Sequence, residues 1–372
     1  MQVEKKFHLD SQDRDQESAT FQESSRRSEA IWADLPKHPA KYRVLTGERP
    51  TGPLHIGHLF GTLANRVRIQ DLGATTFIVI ADYQVLTDRD SAENVGVNVR
   101  EVILDYLASG LDPENGRTFF FSHSHIPELN QLLLPFMNLV TTAELDRNPT
   151  VKEEIKAAGL KQVNALMYTY PIHQAADILF CKGNVVPVGR DQLPHLELTR
   201  KIARRFNERF AADAPVFPIP DALLSEFPLV LGTDGQKMSK SRGNTIMLKM
   251  TAEETAKVLK GAKTDADRNI TYDPQNRPEV ANLLRLTAIC TGETPEAIAA
   301  SIGDGGGGKL KGALTEALNG YLAPMRERRA RYAKDPAYVQ DVLRRGIQRA
   351  REEGIATLKQ VRKGMNMDHG LD

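Results

Sequence analysis

The sequence predicts an α/β fold built on a parallel sheet and joined to an all-helical C-terminal domain. Three observations predict it. Short apolar runs alternate with longer helical stretches from Tyr42 onward, strand patterns stop near residue 250 and only helical ones follow, and the first 40 residues carry few aliphatic side chains.

Residues 1–40 read as a polar N-terminal extension, expected to be flexible. The stretch EKKFHLDSQDRDQESATFQESSRRSEA is rich in Ser, Gln and mixed charge, so burial cannot offset the entropy of ordering it. Trp32, the only tryptophan, sits with Ile31 and Leu35 near its end. These three side chains suit a short amphipathic anchor or the tip of a tail, and such an extension is also a place for a protein partner to bind.

Residues 41–250 read as the domain that holds the sheet. RVLTG, TFIVIAD, RTFFFS and NVVPVG are strand-like runs, and IGHLFGTLANRVRIQDLG, IPELNQLLLPFMNLV and DQLPHLELTRKIARRFN are the helical stretches between and after them. This βαβ rhythm is Rossmann-like, and ligands in such sheets bind beyond the carboxyl ends of the strands. From residue 251 to 372 the stretches TAEETAKVLKGA, PEVANLLRLTAIC, LTEALNGYLAPMRERRARYA and AYVQDVLRRGIQRAREEGIATLKQVRKGM all read as helices of a separate domain.

Composition narrows the function classes. A formal net charge of +1 gives no global basic excess, so any nucleic-acid contact must come from local patches. Two cysteines, Cys181 and Cys290, without a CxxC pair argue against a disulfide framework and against a structural metal, and a reducing cytoplasm is expected. The chain has no run of eighteen apolar residues, which excludes a spanning helix.

Two segments carry the chemistry. TGERPTGPLHIGHLFG, residues 46–61, lies between a strand and a helix start; its glycines let backbone approach a ligand, and its free N–H groups suit phosphate. His55 and His58 are placed to donate hydrogen bonds to phosphate oxygens as charge builds up. GTDGQKMSKSRGN, residues 232–244, holds two lysines and two serines between glycines. Lys237 and Lys240 suit the β- and γ-phosphates of ATP, and little apolar surface ties this loop down, so it reads as mobile.

The HIGH tetrapeptide, His55 to His58, followed by the KMSKS pentapeptide, Lys237 to Ser241, resembles the paired signatures of class I aminoacyl-tRNA synthetases. FIVIADYQVLTD, RNPTVKEEI, YPIHQAAD, VPVGRDQLPHLELTR and DRNITYDP are similar to stretches of the bacterial tryptophanyl-tRNA synthetases. The resemblance implies a two-step reaction: L-tryptophan and ATP give an adenylate and pyrophosphate, and the amino acid then passes to tRNA(Trp); Mg²⁺ on the phosphates is expected from the chemistry of phosphoryl transfer alone. It also implies a homodimer, and the helical domain corresponds to the family's anticodon-binding domain.

Residue roles follow from the same resemblance. His55, His58, Lys237 and Lys240 are the catalytic candidates. Arg49, Pro50, Thr51, Gly57, His58, Gly189, Arg190 and Asp191 are expected at ATP together with Lys237, Met238, Ser239, Lys240 and Ser241. Asp177 is expected to accept the indole N–H, with Tyr170, Gln174 and Gln192 completing the tryptophan site. A buried carboxylate left unpaired by phenylalanine is heavily penalised, so one such bond discriminates strongly. Arg49, Arg190 and Gln174 depart from residues common in the family, and they read as a subtype. Arginines 326, 328, 329, 331, 344, 345, 349, 351 and 362, with lysines 359 and 363, mark a basic helical face suited to RNA phosphates.

Two features are set aside. GDGGGGKL matches a phosphate loop only in part, because Leu310 stands where Ser or Thr is needed, and it reads as a flexible loop. His123 and His125 have no third ligand type nearby in sequence and read as a strand end, so no metal held by the protein's own side chains is expected there. The competing functions are a tyrosyl-tRNA synthetase, a paralogue that has lost charging and acts as a binding or regulatory protein, and a small-molecule adenylating enzyme.

Overall fold

The computed structural model describes residues 19–87, 91–158, 163–224 and 230–371. Five strands form one sheet in the order β3-β2-β1-β4-β5: β1 Arg43–Glu48, β2 Thr75–Ile80, β3 Thr118–Ser122, β4 Val185–Val188 and β5 Asp221–Leu224. Every pairing is parallel. The strand order reverses direction at β1, so the crevice between β1 and β4 is the switch point where ligands of such sheets bind. Apolar residues on both faces explain the strands: Phe77, Ile78 and Ile80 in β2 are fully buried, as parallel strands covered by helices must be.

The longer helices are α1 Ala19–Asp34, α2 Ala64–Asp71, α3 Val95–Ser109, α4 Pro149–Ala158, α5 Ala165–Leu179, α6 Leu193–Phe210, α7 Ala252–Lys260, α8 Pro278–Thr291, α9 Pro295–Ile302, α10 Gly306–Ala333 and α11 Pro336–Gly364. The predicted helix IPELNQLLLPFMNLV is broken into two short pieces, Pro127–Gln131 and Leu133–Met137. Pro135 lacks the N–H that a continuous helix needs at that point.

Burial begins before residue 41, which corrects the reading of the extension as flexible over its described part. α1 packs along β5, with Ile31, Trp32 and Leu35 buried against Tyr42, Val44, Ile69 and Leu223. Leu224 N–H donates to Ser28 Oγ at 2.9 Å, Arg27 pairs with Asp221, and the Arg68 guanidinium lies 4.3 Å from the Trp32 ring centroid. Trp32 is therefore an anchor, and α1 covers a strand edge that would otherwise present unpaired backbone groups. Residues 1–18 of the extension lie outside the described residues.

The helices beyond residue 251 share their core with the sheet. One apolar cluster runs from Leu54, Ile56 and Ile80 through Leu104 and Leu107 to Leu284, Leu314 and Leu318. α11 lies directly on β3. A Cβ at Gly346 would stand 1.9 Å from the carbonyl oxygen of Phe120, and only glycine permits that approach. Ion pairs also join these helices to the helices that cover the sheet: Arg329 with Asp105 at 2.7 Å and with Glu101 at 2.9 Å, both on α3, and Arg351 with Glu128 of the short helix Pro127–Gln131 at 2.8 Å. The sequence offered no sign of this, because α10 and α11 carry ordinary helical patterns. GDGGGGKL is likewise not a loop throughout; a single turn over Gly303–Gly305 leads straight into α10.

Candidate active site

β1 ends at Glu48, and the next residues form the first motif. Leu54 and Leu248 are joined by a backbone hydrogen bond of 2.9 Å, Ile56 and Ile246 by one of 3.0 Å, and His55 bridges to Met247. The two motifs, remote in sequence, are thereby held side by side. Lys240 Nζ reaches 3.5 Å from Thr51 Oγ1 and lies over Gly52, where a Cβ would be 3.3 Å away. Met238 is buried, and its sulfur lies over Gly57, at 3.2 Å from a Cβ built there.

Backbone donors fix the tautomers of both histidines. His55 N–H donates to His58 Nδ1 and Gly57 N–H donates to His55 Nδ1, both at 3.2 Å, and the ring centroids are 3.8 Å apart. Each Nδ1 is thus an acceptor, so in the neutral ring the hydrogen sits on Nε2. Burial, with the adjoining His58 and Lys240 charges, pushes His55 down to about 3; burial, opposed by Glu48, pushes His58 down to about 4. Both rings are neutral at physiological pH, and each has an Nε2–H to donate.

The helix that begins at Ile56 widens into a π turn over Leu59–Leu63 before continuing as α2. Such turns concentrate at functional sites. Beneath it, Arg66 pairs with Glu48 at 2.7 Å and Tyr106 Oη donates to the same carboxylate, while Thr62 Oγ1 donates to the His58 carbonyl at 3.0 Å. The ion pair of buried Arg66 with half-buried Glu48 was missed by the sequence reading.

The KMSKS loop is knotted on Asn244, which corrects the expectation of a loosely tied segment. Asn244 is 3% exposed; its Nδ2 donates to Asp234 at 2.7 Å and to the Lys237 carbonyl at 3.1 Å, and its Oδ1 accepts Ser239 N–H at 2.8 Å. Lys237 is exposed at the rim. The side chains of Ser241 and Arg190, both expected at ATP, lie outside the described ones. Arg49 donates to Thr87 Oγ1 at 3.0 Å, Thr51 N–H donates to the Arg49 carbonyl at 2.8 Å, and Pro50 between them is buried.

After β4 the chain makes the turn Gly189–Gln192. Gln192 N–H donates to the Gly189 carbonyl at 3.1 Å, and a Cβ at Gly189 would stand 2.8 Å from the Asp191 carboxylate. Asp191 is exposed, and its carbonyl accepts from Thr150 Oγ1 at 2.9 Å.

α5 carries Tyr170, His173, Gln174 and Asp177. Asn164 caps its start and donates to the carbonyls of Leu86 and Thr87, which ties α5 to the segment that also holds Arg49. Tyr170 is 6% exposed, and its hydroxyl lies 2.9 Å from His195 Nε2. Asn148 Oδ1 accepts Thr150 N–H at 3.1 Å, which turns the Asn148 amide NH₂ toward His195 Nδ1, 3.2 Å away. His195 therefore carries its hydrogen on Nε2 and donates to Tyr170. Burial pushes His195 down to about 4, so it stays neutral. Asn148, Thr150 and His195 were not singled out by the sequence reading, although they lie inside quoted stretches.

Asp177 is 3% exposed. His123 Nε2 lies 2.9 Å from its Oδ1, but out of line for a hydrogen bond. The His123 and His173 rings meet edge to face at 4.6 Å between centroids. This corrects the reading of His123 as a strand end without a third ligand type nearby: β3 stops at Ser122, and His123, His173 and Asp177 bring their donor atoms within 4.8 Å of one another. The signal was the i, i+4 spacing of His173 and Asp177, which puts both on one helical face. His125 instead meets Ser122 and Ser124. Gln174, one residue on from His173, is half-buried.

The family described as tRNA synthetases class I (W and Y) matches residues 37–323. The tryptophan–tRNA ligase of Treponema pallidum is 40% identical over 336 residues, covering 87% of this chain and 97% of its own. That of Clostridium longisporum is 41% identical over 340 residues, covering 89% and 98%. The tryptophanyl-tRNA synthetase of Campylobacter jejuni, crystallised with ADP and tryptophan, superposes with a TM-score of 0.75 at 28% identity, covering 87% of this chain and 99% of that one. With its signatures joined at the carboxyl ends of a parallel sheet, the chain belongs to the class I tRNA synthetases of the tryptophan and tyrosine group, and within it to the tryptophan–tRNA ligases.

Proposed function

We propose that the chain activates L-tryptophan with ATP and transfers it to tRNA(Trp), through the residues gathered between β1, β4 and the KMSKS loop. The observation that carries this reading is the contact of Lys240 with Thr51 and Gly52 beside two histidines whose Nε2–H groups are left to donate. In the first step a tryptophan carboxylate oxygen attacks the α-phosphorus of ATP, the bond to the bridging oxygen breaks, and pyrophosphate leaves with the charge.

His55 and His58 serve as neutral donors to the phosphate oxygens. Because their hydrogens are fixed on Nε2 by backbone donors, no reorganisation is needed as charge develops. Lys237 and Lys240 take the charge of the departing pyrophosphate. Arg49, Pro50, Thr51, Gly57, Met238, Ser239 and Ser241 line the phosphate end, while Gly189, Arg190 and Asp191 hold the ribose end. Asp177 accepts the indole N–H, and Tyr170, Gln174 and Gln192 orient the rest of the amino acid.

Mg²⁺ carried by the phosphates of ATP would supply charge neutralisation there. The half-buried carboxylate beside this end, Glu48, is already occupied by Arg66, Thr62 and Tyr106, which fits an ion held by the nucleotide's own oxygens. Arg331, Lys359 and Lys363 are exposed on α10 and α11 and suit RNA phosphates, whereas Arg329, Arg345, Arg349 and Arg351 are engaged by carboxylates within the chain. Residues 251–372 are read as the anticodon-binding part of a homodimeric cytoplasmic enzyme; among the described residues no helix is long and apolar enough to cross a membrane.

Replacing Lys240 with Ala tests the assignment. Pre-steady-state adenylate formation is expected to slow by about 10²-fold or more, the size typical of losing one preorganised charge-stabilising group, with tryptophan affinity changed by less than about threefold. Equal losses in both would remove Lys240 from the transition state.

A further inference from the structure

The cluster of His123, His173 and Asp177 has a chemistry of its own. His123 and Asp177 are 0% and 3% exposed and His173 is 4% exposed. Asn130 Nδ2 donates to the carbonyls of His123 and Ile126, so its Oδ1 faces His173 Nε2 at 2.8 Å and takes that ring hydrogen. His173 Nδ1 is consequently a lone pair. Among the described residues it has no hydrogen-bond partner, and neither do Asp177 Oδ1 and the two ring nitrogens of His123. Four buried polar atoms on three neighbouring side chains are thus left without a made hydrogen bond.

We propose that His123, His173 and Asp177 bind a divalent transition-metal ion of the zinc class, and that this ion and tryptophan exclude one another at Asp177. Two imidazole nitrogens and one carboxylate oxygen are a donor set for Zn²⁺ or Co²⁺, not for Mg²⁺, which demands an oxygen shell. The three donors lie within 4.8 Å of one another, and His123 and Asp177 are already at 2.9 Å, so small side-chain rotations bring all three around one ion. Asn130 is the outer partner that a ligating histidine requires, holding His173 with its lone pair inward. Three protein ligands leave a fourth position for water. The mutual exclusion rests on the reading of Asp177 as the indole acceptor; the metal site itself does not.

The test uses the full chain, freed of metal by chelator and dialysed, and titrated with Co²⁺ alone while the visible d–d absorption is followed. One equivalent of Co²⁺ giving an intense four- or five-coordinate spectrum is expected, displaced by Zn²⁺ and not by millimolar Mg²⁺. His173→Leu, which removes Nδ1 at similar volume, and His123→Gln are each expected to weaken Co²⁺ binding at least tenfold, with native circular dichroism. Saturating tryptophan is expected to abolish the spectrum, and ATP alone to leave it. A spectrum absent in the parent chain, or unchanged in both variants, overturns the site. A spectrum lost in both variants but indifferent to tryptophan supports the site and withdraws Asp177 from the amino-acid pocket, which equilibrium dialysis with labelled tryptophan on Asp177→Asn checks separately.

Discussion

Replacing Asn148 with Asp isolates one hydrogen in the amino-acid site. The carboxylate still accepts from Thr150 N–H, now 3.1 Å away, so the local backbone keeps its partner. What disappears is the donor to His195 Nδ1 at 3.2 Å. A carboxylate against a lone pair is repulsive, so His195 must place a hydrogen on Nδ1. If the ring stays neutral, Nε2 becomes an acceptor, and the Tyr170 hydroxyl turns its hydrogen into His195 instead of toward the substrate. A hydrogen bond to a charged group contributes about 1.5–3 kcal/mol, so KM for tryptophan in pyrophosphate exchange is expected to rise on the order of 10- to 100-fold, with KM for ATP little changed. Adding Tyr170→Phe should cost nothing further, since the hydroxyl is already diverted. Nitrogen-15 spectra of the His195 ring report the tautomer directly: Nε2–H in the parent, Nδ1–H in the variant. A tautomer change with KM for tryptophan within twofold of the parent would refute the role given to Tyr170.

Two further outcomes follow from buried charge. Glu48→Gln strips the partner from the Arg66 guanidinium, whose side chain is 3% exposed, and should destabilise the chain by about 3–5 kcal/mol in urea unfolding; a loss under about 1 kcal/mol would show the pair to be dispensable. His195 titrates at about 6.5 when unfolded and down to about 4 when folded, so between those values the unfolded chain binds the extra proton and stability falls as pH drops. The term is fully present above pH 6.5 and amounts to about 2 kcal/mol lost by pH 5; a His195→Gln variant should lose stability less steeply than the parent over that range, and equal slopes would contradict a neutral buried imidazole.

The sheet was readable because parallel strands covered on both faces leave continuous apolar runs such as TFIVI and TFFFS. The motifs were readable because HIGH and KMSKS, each weak alone, occur in order as a pair that resembles a family signature. What escaped notice has a common physical cause. The polar residues that shape the site, Asn244 in the KMSKS loop, Asn148 and His195 behind Tyr170, and Arg66 beneath His58, act through buried hydrogen bonds and ion pairs whose partners lie far off in sequence or are backbone atoms. No periodicity marks such residues. The same holds for α1, whose Ser-rich sequence looks solvated although Ser24 and Ser28 are buried against the sheet edge, and for Gly346, which gives no hint in a helix that it touches a strand. His123 was dismissed for lack of a third ligand type, which α5 supplies in His173 and Asp177, some fifty residues further along the chain.

Amino-acid-dependent ATP–pyrophosphate exchange without tRNA, run in parallel with tryptophan, tyrosine and phenylalanine, tests the central claim most directly. Exchange with tryptophan alone is the predicted result, and Asp177→Asn should reduce it through KM for tryptophan. Exchange driven by tyrosine would contradict the role of Asp177, and no exchange with any of the three would contradict the activity itself.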